Sequence, residues 1–207
     1  MWAYYLMPNH VHLVVVPESE DGLRHAIGEA HRRYTRRVNL REDWRGHLWQ
    51  GRFAWVVLVE AHVLAAVRYV ERNAVRAGLV ATAEKWPWSS ARAHVSGRDD
   101  TLAQVVPMLE RVGGWAEYLA ALEDEPLLEA LRRRVRTGRV LGGESFVETI
   151  EAAPAPSSSL QRLIMEHHQL AGPQREAGIR TPLIIAEFDL QNVRCQEFYY
   201  RANLPSS

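Results

Sequence analysis

The chain of 207 residues lacks a pair of cysteines, a long apolar run and a net charge. Its one cysteine, Cys195, cannot form a disulfide within the chain, which is typical of a reducing compartment. The absence of any run of about 18 apolar residues excludes an ordinary membrane-spanning helix. The first residues also lack the charged and apolar regions of a signal peptide. We therefore expect a cytoplasmic protein with no membrane partner.

The formal net charge of +0 conceals an uneven distribution of charge. Residues 1–98 carry 14 Lys and Arg against 9 Asp and Glu, whereas residues 99–207 carry 11 against 16. The densest basic segment runs from Arg24 to Arg52, with eight arginines and three acids. Such a segment either binds a polyanion or forms a solvated helix face. Aromatic residues interleave with the arginines, and their rings are either part of the core or flat surfaces on which bases could stack.

Two histidines stand two residues apart in the stretch "NHVHLVVV", residues 9–16. In a strand, side chains at this spacing point to the same face, so His10 and His12 would project side by side. Val11, Leu13 and Val15 would point to the other face. The pair is either a metal site or two hydrogen-bonded core histidines, and the spacing by itself leaves both open. The other seven histidines have no comparable companions, and we assign them no role in the site.

The periodicity along the chain predicts an α+β protein with few strands. Residues 11–16 form either a hairpin partner of the first strand or its continuation past a kink. The predicted strands are 2–7, 11–16 and 52–59, and the predicted helices are 23–38 and 60–77. Residues 101–151 are mostly helical, and a Pro/Ser-rich linker follows at 153–159. The predicted units are therefore residues 1–98, a helical region at 99–152, and a linker with an undetermined tail at 153–207.

A chemical partner for the histidine pair occurs in "RYVERNAVRAGLV", residues 68–80. Tyr69 and Asn73 are four residues apart, so in a helix they share one face. Two imidazoles and a carboxamide oxygen can hold Mn²⁺ or Mg²⁺ and leave other positions open. A tyrosine beside the cation can attack a phosphodiester as a covalent nucleophile. Each residue by itself is also compatible with a structural role, and only the combination favours this chemistry.

Four motifs occur in a fixed order: "YYLMPNHVHLVV", "YTRRVNLREDWRGHLWQGRF", "RYVERNAVRAGLV" and "WPWSS". Together they resemble the REP-associated tyrosine transposases, which are relatives of the single-strand insertion-sequence transposases in the HUH endonuclease superfamily. The resemblance extends over residues 2–95 and continues more loosely into the helical region. It implies a ferredoxin-like α+β core, with an antiparallel sheet and helices on one face.

The resemblance also implies an activity and a set of site residues. The protein would cut and rejoin single-stranded DNA near hairpins, as a monomer or homodimer that requires Mg²⁺ or Mn²⁺. Tyr69 would be the nucleophile that forms a 5′-phosphotyrosine, and His10, His12 and Asn73 would be the metal ligands. Residues expected to contact DNA come from the basic segment: Arg32, Arg33, Arg36, Arg37, Arg45, Trp49 and Arg52.

The chain departs from the family pattern in three respects. Family members usually carry a strand and a helix before the "MPNH" region, so we expect an N-terminally truncated core with a thin sheet. Ala74 stands where the family usually has proline, and alanine continues a helix without penalty. Residues 155–207 match nothing in the family. A truncated or domesticated copy that binds hairpin DNA without cutting it is the alternative function. A metal-dependent hydrolase of small phosphoesters is a third and poorly supported function, because such an enzyme would not need the segment of arginines and aromatic residues.

Overall fold

The computed structural model describes seven segments of the chain: residues 1–7, 9–19, 21–49, 54–58, 60–122, 125–137 and 183–189. Four strands occur in these segments: β1 (Ala3–Leu6), β2 (His10–Val15), β3 (Ala54–Leu58) and β4 (Leu183–Asp189). Four helices occupy the first half of the chain: α1 (Gly22–Glu42), α2 (Glu60–Glu71), α3 (Asn73–Arg76) and α4 (Ala91–Ser96). Three more follow: α5 (Val106–Leu109), α6 (Trp115–Ala120) and α7 (Glu125–Thr137).

The strands form one antiparallel sheet with the order β1-β2-β4-β3. Strands β1 and β2 are a hairpin, with Ala3 opposite Val14 and Leu6 opposite Val11, which settles the choice between a hairpin and a kinked continuation. The backbone N–H of Met7 donates to the carbonyl of His10 at 2.8 Å and closes the turn. This architecture agrees with the expected α+β class, while the ferredoxin-like assignment stays a prediction.

Strand β4 lies between β2 and β3, although residues 155–207 had no predicted fold. Its register with β2 runs from His10 opposite Asp189 to Val15 opposite Ile184. The sheet is therefore broader than the three predicted strands allow. Local pattern could not reveal this position, because the pairing joins segments that are far apart in the sequence.

Helices pack on both faces of the sheet, so the expectation that they cover one face is wrong. The first face carries alternate residues of the hairpin and packs against α2; its buried members include Ala3, Tyr5, Val14, Val63, Val67 and Val70. The second face packs against the N-terminal half of α1; its buried members include Tyr4, Leu13, Val15, Leu23, Ile27 and Ala186. Because side chains alternate between the two faces of a strand, neighbouring residues of each strand pack in two separate cores, one on each face of the sheet.

The "WPWSS" segment covers the outer edge of β1. The N–H of Leu6 donates to the carbonyl of Trp88 at 2.9 Å, and the N–H of Ser90 donates to the carbonyl of Tyr4 at 3.1 Å. The indole of Trp86 donates to the carbonyl of Leu6 at 3.1 Å. These bonds use backbone groups that an exposed edge strand would leave unpaired. Within the described segments, no helix has the length and apolar character needed to cross a membrane.

Candidate active site

The pleat of β2 places His10 and His12 on the face that packs against α2. Their ring centroids are 4.7 Å apart, with the ring planes at 81°. His12 is buried, with 1% of its surface exposed, and His10 is half-buried. The predicted side-by-side arrangement of the two imidazoles is therefore present.

The contacts of His10 determine which ring nitrogen can act as an electron-pair donor. Its Nδ1 lies 2.8 Å from Oδ1 of Asn9, which can only accept, so Nδ1 carries the proton. The lone pair of the neutral ring then lies on Nε2, which is 3.2 Å from Nδ2 of Asn73. A metal-binding histidine usually has this arrangement, with one nitrogen donating to an oxygen and the other facing the ligand site.

Tyr69 lies next to His12, with ring centroids 5.8 Å apart and planes at 77°. Its ring is also covered by Arg76, whose guanidinium carbon is 4.4 Å from the ring centroid. Arg76 donates a hydrogen bond to the carbonyl of Tyr69 at 2.6 Å, so the arginine holds both the ring and the backbone of this residue. Sequence reasoning gave Arg76 no role, although it lies seven residues after Tyr69 in the same motif.

The helix that carries Tyr69 does not continue to residue 77 as predicted. It ends at Glu71, and Asn73 begins the separate helix α3 after a turn at Arg72. Helical hydrogen bonds still cross this turn: the N–H of Arg72 donates to Arg68 at 3.0 Å, and that of Arg76 donates to Arg72 at 2.9 Å. Asn73 thus occupies the start of a helix rather than its middle, where asparagine is better tolerated.

Burial and charge keep His12 neutral. Desolvation is the main reason that its pKa lies well below the usual value, and the neighbouring His10 and Arg76 lower the pKa further. Its Nδ1 has no hydrogen-bond partner among the described residues. A neutral imidazole with an unpaired buried nitrogen is suited to binding a cation.

The donor set of these residues fits a divalent cation. Two imidazole nitrogens and a carboxamide oxygen are a mixed set that Mn²⁺ accepts, and Mg²⁺ can occupy it while it keeps several waters. Among the described side chains, no group of three or more His, Cys, Asp or Glu could hold a metal ion. His10, His12 and Asn73 are the residues that would hold such a cation, and for this the amide of Asn73, whose Nδ2 lies 3.2 Å from Nε2 of His10, would have to turn its oxygen toward the cation.

A buried carboxylate fixes the end of α2 beside the site. Glu71 is fully buried, and its Oε1 accepts hydrogen bonds from Ser90 Oγ and from His94 Nδ1, both at 2.6 Å. Its Oε2 accepts from the indole of Trp115 at 2.8 Å. Sequence analysis missed this network and gave His94 no role.

A signal for the network was present in the sequence. Glu71 continues the apolar four-residue spacing of Val63 and Val67, which are both fully buried. A charged residue on the buried stripe of a helix needs hydrogen-bond partners in the core. Ser90 is the residue immediately before α4, but its hydroxyl donates a hydrogen bond to Glu71 and does not cap the helix.

The basic residues of α1 lie apart from the tyrosine and histidines. Leu23 and Ile27 pack α1 against the second face of the sheet, whereas His12 belongs to the first. The four arginines of the predicted DNA surface are exposed: Arg32, Arg33, Arg36 and Arg37.

Glu29 binds two of these arginines. Its carboxylate accepts two hydrogen bonds from Arg32, both at 2.8 Å, and one from Arg33 at 2.6 Å. These bonds, led by those from Arg32, lower the pKa of Glu29 to about 2. Part of the positive charge of the helix is therefore balanced within the helix itself.

The aromatic part of the predicted DNA surface is folded back on α1. Trp49 is half-buried and stacks on His31 with ring centroids 4.2 Å apart and planes at 6°. Tyr34 lies against the same indole, with centroids 5.4 Å apart. Arg45 is exposed in the segment that joins α1 to Trp49. Arg52 lies outside the described residues. The DNA-binding role of these residues stays a prediction.

Comparison with known families gives a match over the first third of the chain. Residues 1–73 match the family model described as "Transposase IS200 like". The matched segment contains all four clustered residues: His10, His12, Tyr69 and Asn73. The match supports a transposase family for this first third of the chain, and the mixed sheet and helices are consistent with a transposase core. No curated protein and no solved structure matches the chain.

Proposed function

We propose that this protein is a metal-dependent transposase or endonuclease of single-stranded DNA that uses Tyr69 as its nucleophile. One observation carries the proposal: residues 63 positions apart, His10 and Asn73, come within 3.2 Å, with His12 and Tyr69 in ring contact beside them. An IS200-like transposase family implies enzymes that cleave DNA, and this cluster provides the groups that such a reaction needs.

The proposed reaction replaces one phosphate ester bond of the DNA with a phosphate ester bond to Tyr69. The hydroxyl oxygen of Tyr69 attacks the phosphorus as its proton passes to water, the bond from phosphorus to the 3′ oxygen breaks, and the leaving 3′ oxygen takes up a proton from water. The products are a 5′-phosphotyrosine and a strand with a free 3′-hydroxyl. In the reverse direction, a 3′-hydroxyl of another strand attacks the phosphotyrosine and releases the phenol. Joining therefore needs no external energy source.

The residues around Tyr69 would support this step in distinct ways. His10, His12 and Asn73 would hold the cation, which when bound polarises a phosphoryl oxygen and orients the ester. Arg76 would hold the phenol ring through its stacking contact at 4.4 Å and place a permanent positive charge beside the oxygen that becomes negative. The buried surroundings of His12 keep this ligand neutral.

The DNA substrate proposed here is a single strand with a hairpin, as in the REP-associated branch. The exposed arginines of α1 and the segment with Arg45, Trp49 and Arg52 would supply the phosphate and base contacts. Helix α1 packs on the second face of the sheet, whereas Tyr69 and the histidines lie on the first. One DNA molecule would therefore have to pass around the sheet to contact both the arginines of α1 and Tyr69. A monomer meets this requirement with a long strand, and a homodimer meets it by sharing the surfaces.

A covalent-adduct assay tests the proposal. Hairpin-containing single strands, labelled at either the 5′ or the 3′ end, are incubated with the protein and Mn²⁺ and separated under denaturing conditions. We expect the 3′ label to migrate with the protein and the 5′ label to appear in a shorter free strand. Tyr69→Phe and EDTA should abolish both signals. Tyr118→Phe is the matched control, because Tyr118 lies on α6, outside the residues proposed for the site and for DNA contacts, and this variant should keep full activity.

The same assay separates the two candidate functions. Hairpin binding without any adduct, in the presence of either Mn²⁺ or Mg²⁺, would contradict the enzyme and support a binding protein. An adduct that survives in Tyr69→Phe would contradict the assignment of the nucleophile.

A further inference from the structure

Helix α7 lies beside α2 on the first face of the sheet. Helix α2 contacts β1, β2 and β4, helix α7 contacts β3 and β4, and the two helices contact each other. Leu128 of α7 is buried in the same core as Tyr69 of α2. The core that contains Tyr69 is therefore closed in part by α7, a helix outside the residues that match the family model.

Arg132 lies on the face of α7 that packs against this core. It follows Leu128 by four residues, so the two side chains stand about one helical turn apart on one face. Its side chain is 30% exposed. Most of the side chain is therefore covered by protein, while part of it reaches the surface, as is typical of an arginine at the edge of a core.

The charges of Arg132 and Tyr69 act on each other. The pKa of Arg132 lies above its usual value; the largest cause is its hydrogen bond to Glu125, and the negative charge of a Tyr69 phenolate is a smaller one. This agrees with the position of Leu128, since both observations indicate that the guanidinium is on the side of α7 that faces Tyr69.

The present partners of Arg132 are carboxylates at the surface. Its Nη1 donates to Glu125 at 2.9 Å and to Glu129 at 3.4 Å, and the side chains of these acids are 68% and 52% exposed. Exposed ion pairs are weak, so a phosphate can replace them. Both bonds use one nitrogen, and among the described residues no acceptor is bonded to Nε or Nη2. The guanidinium therefore keeps N–H groups for a phosphate, which arginine binds through two parallel bonds.

We propose that Arg132 binds the phosphate that Tyr69 attacks and stabilises the negative charge of its oxygens in the transition state. The inference rests on the function proposed above and adds a catalytic residue from α7 to it. Its role differs from that of Arg76, which covers the ring of Tyr69 and bonds to its carbonyl. Arg76 positions the nucleophile, whereas Arg132 acts on the phosphate.

Single-turnover cleavage by the full-length protein at saturating DNA tests the inference. We expect Arg132→Gln to slow cleavage by about 100-fold, as when one group that stabilises a transition-state charge is removed, with little change in the affinity for the uncleaved strand. Arg132→Lys keeps the positive charge but not the two parallel N–H groups, so it should recover only part of the rate. Arg133→Gln removes the adjacent exposed arginine of α7 and is the matched control, which should cut at the unmodified rate.

A further variant separates catalysis from support of α7. Glu125→Gln combined with Glu129→Gln removes both ion-pair partners of Arg132 and keeps the arginine. If Arg132 binds the phosphate, this protein cuts at least as fast as the unmodified one. If it cuts as slowly as Arg132→Gln does, the arginine acts only by holding α7 through its ion pairs, and the inference is overturned.

The outcomes also distinguish a failure of this inference from a failure of the proposed function. An unchanged rate in Arg132→Gln, while the unmodified protein forms the adduct, would overturn the role of Arg132 and leave the function intact. Weaker DNA binding with an unchanged rate at saturation would also overturn it, because Arg132 would then contact a phosphate that does not react. If circular dichroism shows that Arg132→Gln does not fold, Arg132→Lys decides instead, and an unchanged rate in that variant overturns the inference. If the unmodified protein forms no adduct, the proposed function and this inference both fail.

Discussion

Replacement of Glu71 should destabilise the protein more than any surface substitution. The side chain is fully buried and accepts three hydrogen bonds, at 2.6 Å from Ser90, 2.6 Å from His94 and 2.8 Å from Trp115. Glu71→Ala leaves the donors of His94 and Trp115 without an acceptor in the core, whereas the Ser90 hydroxyl still has the carbonyl of Tyr4 at 3.3 Å. Each hydrogen bond to a charged group contributes about 1.5–3 kcal/mol, and removal of one partner from a buried charged network costs about 3–5 kcal/mol.

We therefore expect Glu71→Ala to lower the free energy of unfolding by about 4 kcal/mol. Because a typical domain has about 5–15 kcal/mol of stability, this is a large fraction of the total. Glu71→Gln keeps one acceptor oxygen and turns an NH₂ group toward a donor, so its effect should be smaller, about 2 kcal/mol. Urea unfolding followed by tryptophan fluorescence measures both values, and Trp115 is itself a member of the network.

The matched control is Glu110→Ala, because Glu110 is an exposed carboxylate in the same part of the chain. It should change the stability by no more than about 0.5 kcal/mol. A loss below about 1 kcal/mol in Glu71→Ala would refute the reasoning, since two buried donors without an acceptor should cost more than this. It would mean that water enters the site or that the network does not form.

Two further predictions concern the charges near Tyr69 and on α1. Arg76→Gln removes the guanidinium that lies 4.4 Å from the ring centroid of Tyr69. Single-turnover cleavage at saturating DNA should then slow about tenfold, which corresponds to the loss of about 1.4 kcal/mol. An unchanged rate would contradict the role of Arg76 in positioning Tyr69. Glu29→Gln removes the carboxylate that binds Arg32 and Arg33, and because the pKa of Glu29 is about 2 this charge is present at every ordinary working pH. Single-stranded DNA should then bind severalfold more tightly at low salt, with a steeper salt dependence in fluorescence anisotropy, and an equal affinity would indicate that DNA does not contact this part of α1.

Local spacing in the sequence was sufficient for the parts of the site that lie within single elements. The two-residue spacing of His10 and His12 determines a common face in any strand, and the apolar residues between them determine which face is opposite. The four-residue spacing of Tyr69 and Asn73 places them about one helical turn apart, and helical hydrogen bonds still cross the break at Arg72. These relations depend on backbone geometry alone, so no knowledge of distant contacts was needed.

Distant contacts hold parts of the fold that the sequence pattern did not predict. The buried carboxylate of Glu71, at the end of α2, accepts hydrogen bonds from Ser90, His94 and Trp115, which lie 19, 23 and 44 residues away. The aromatic Trp49 stacks on His31 because α1 and the following segment fold against each other. The spacing of Val63, Val67 and Glu71 indicates that Glu71 is buried, but it does not identify the distant residues that bind its carboxylate.

The sequence by itself determined the chemical types of the candidate site, the face of β2 that bears the histidines and the helical turn that carries the tyrosine. Tertiary structure decided that α1 packs on the second face, that Arg76 covers Tyr69, and that β4 lies between β2 and β3. The physical reason is that strand and helix geometry acts over a few neighbouring residues, whereas pairing between strands and burial in a core are chosen by the whole chain.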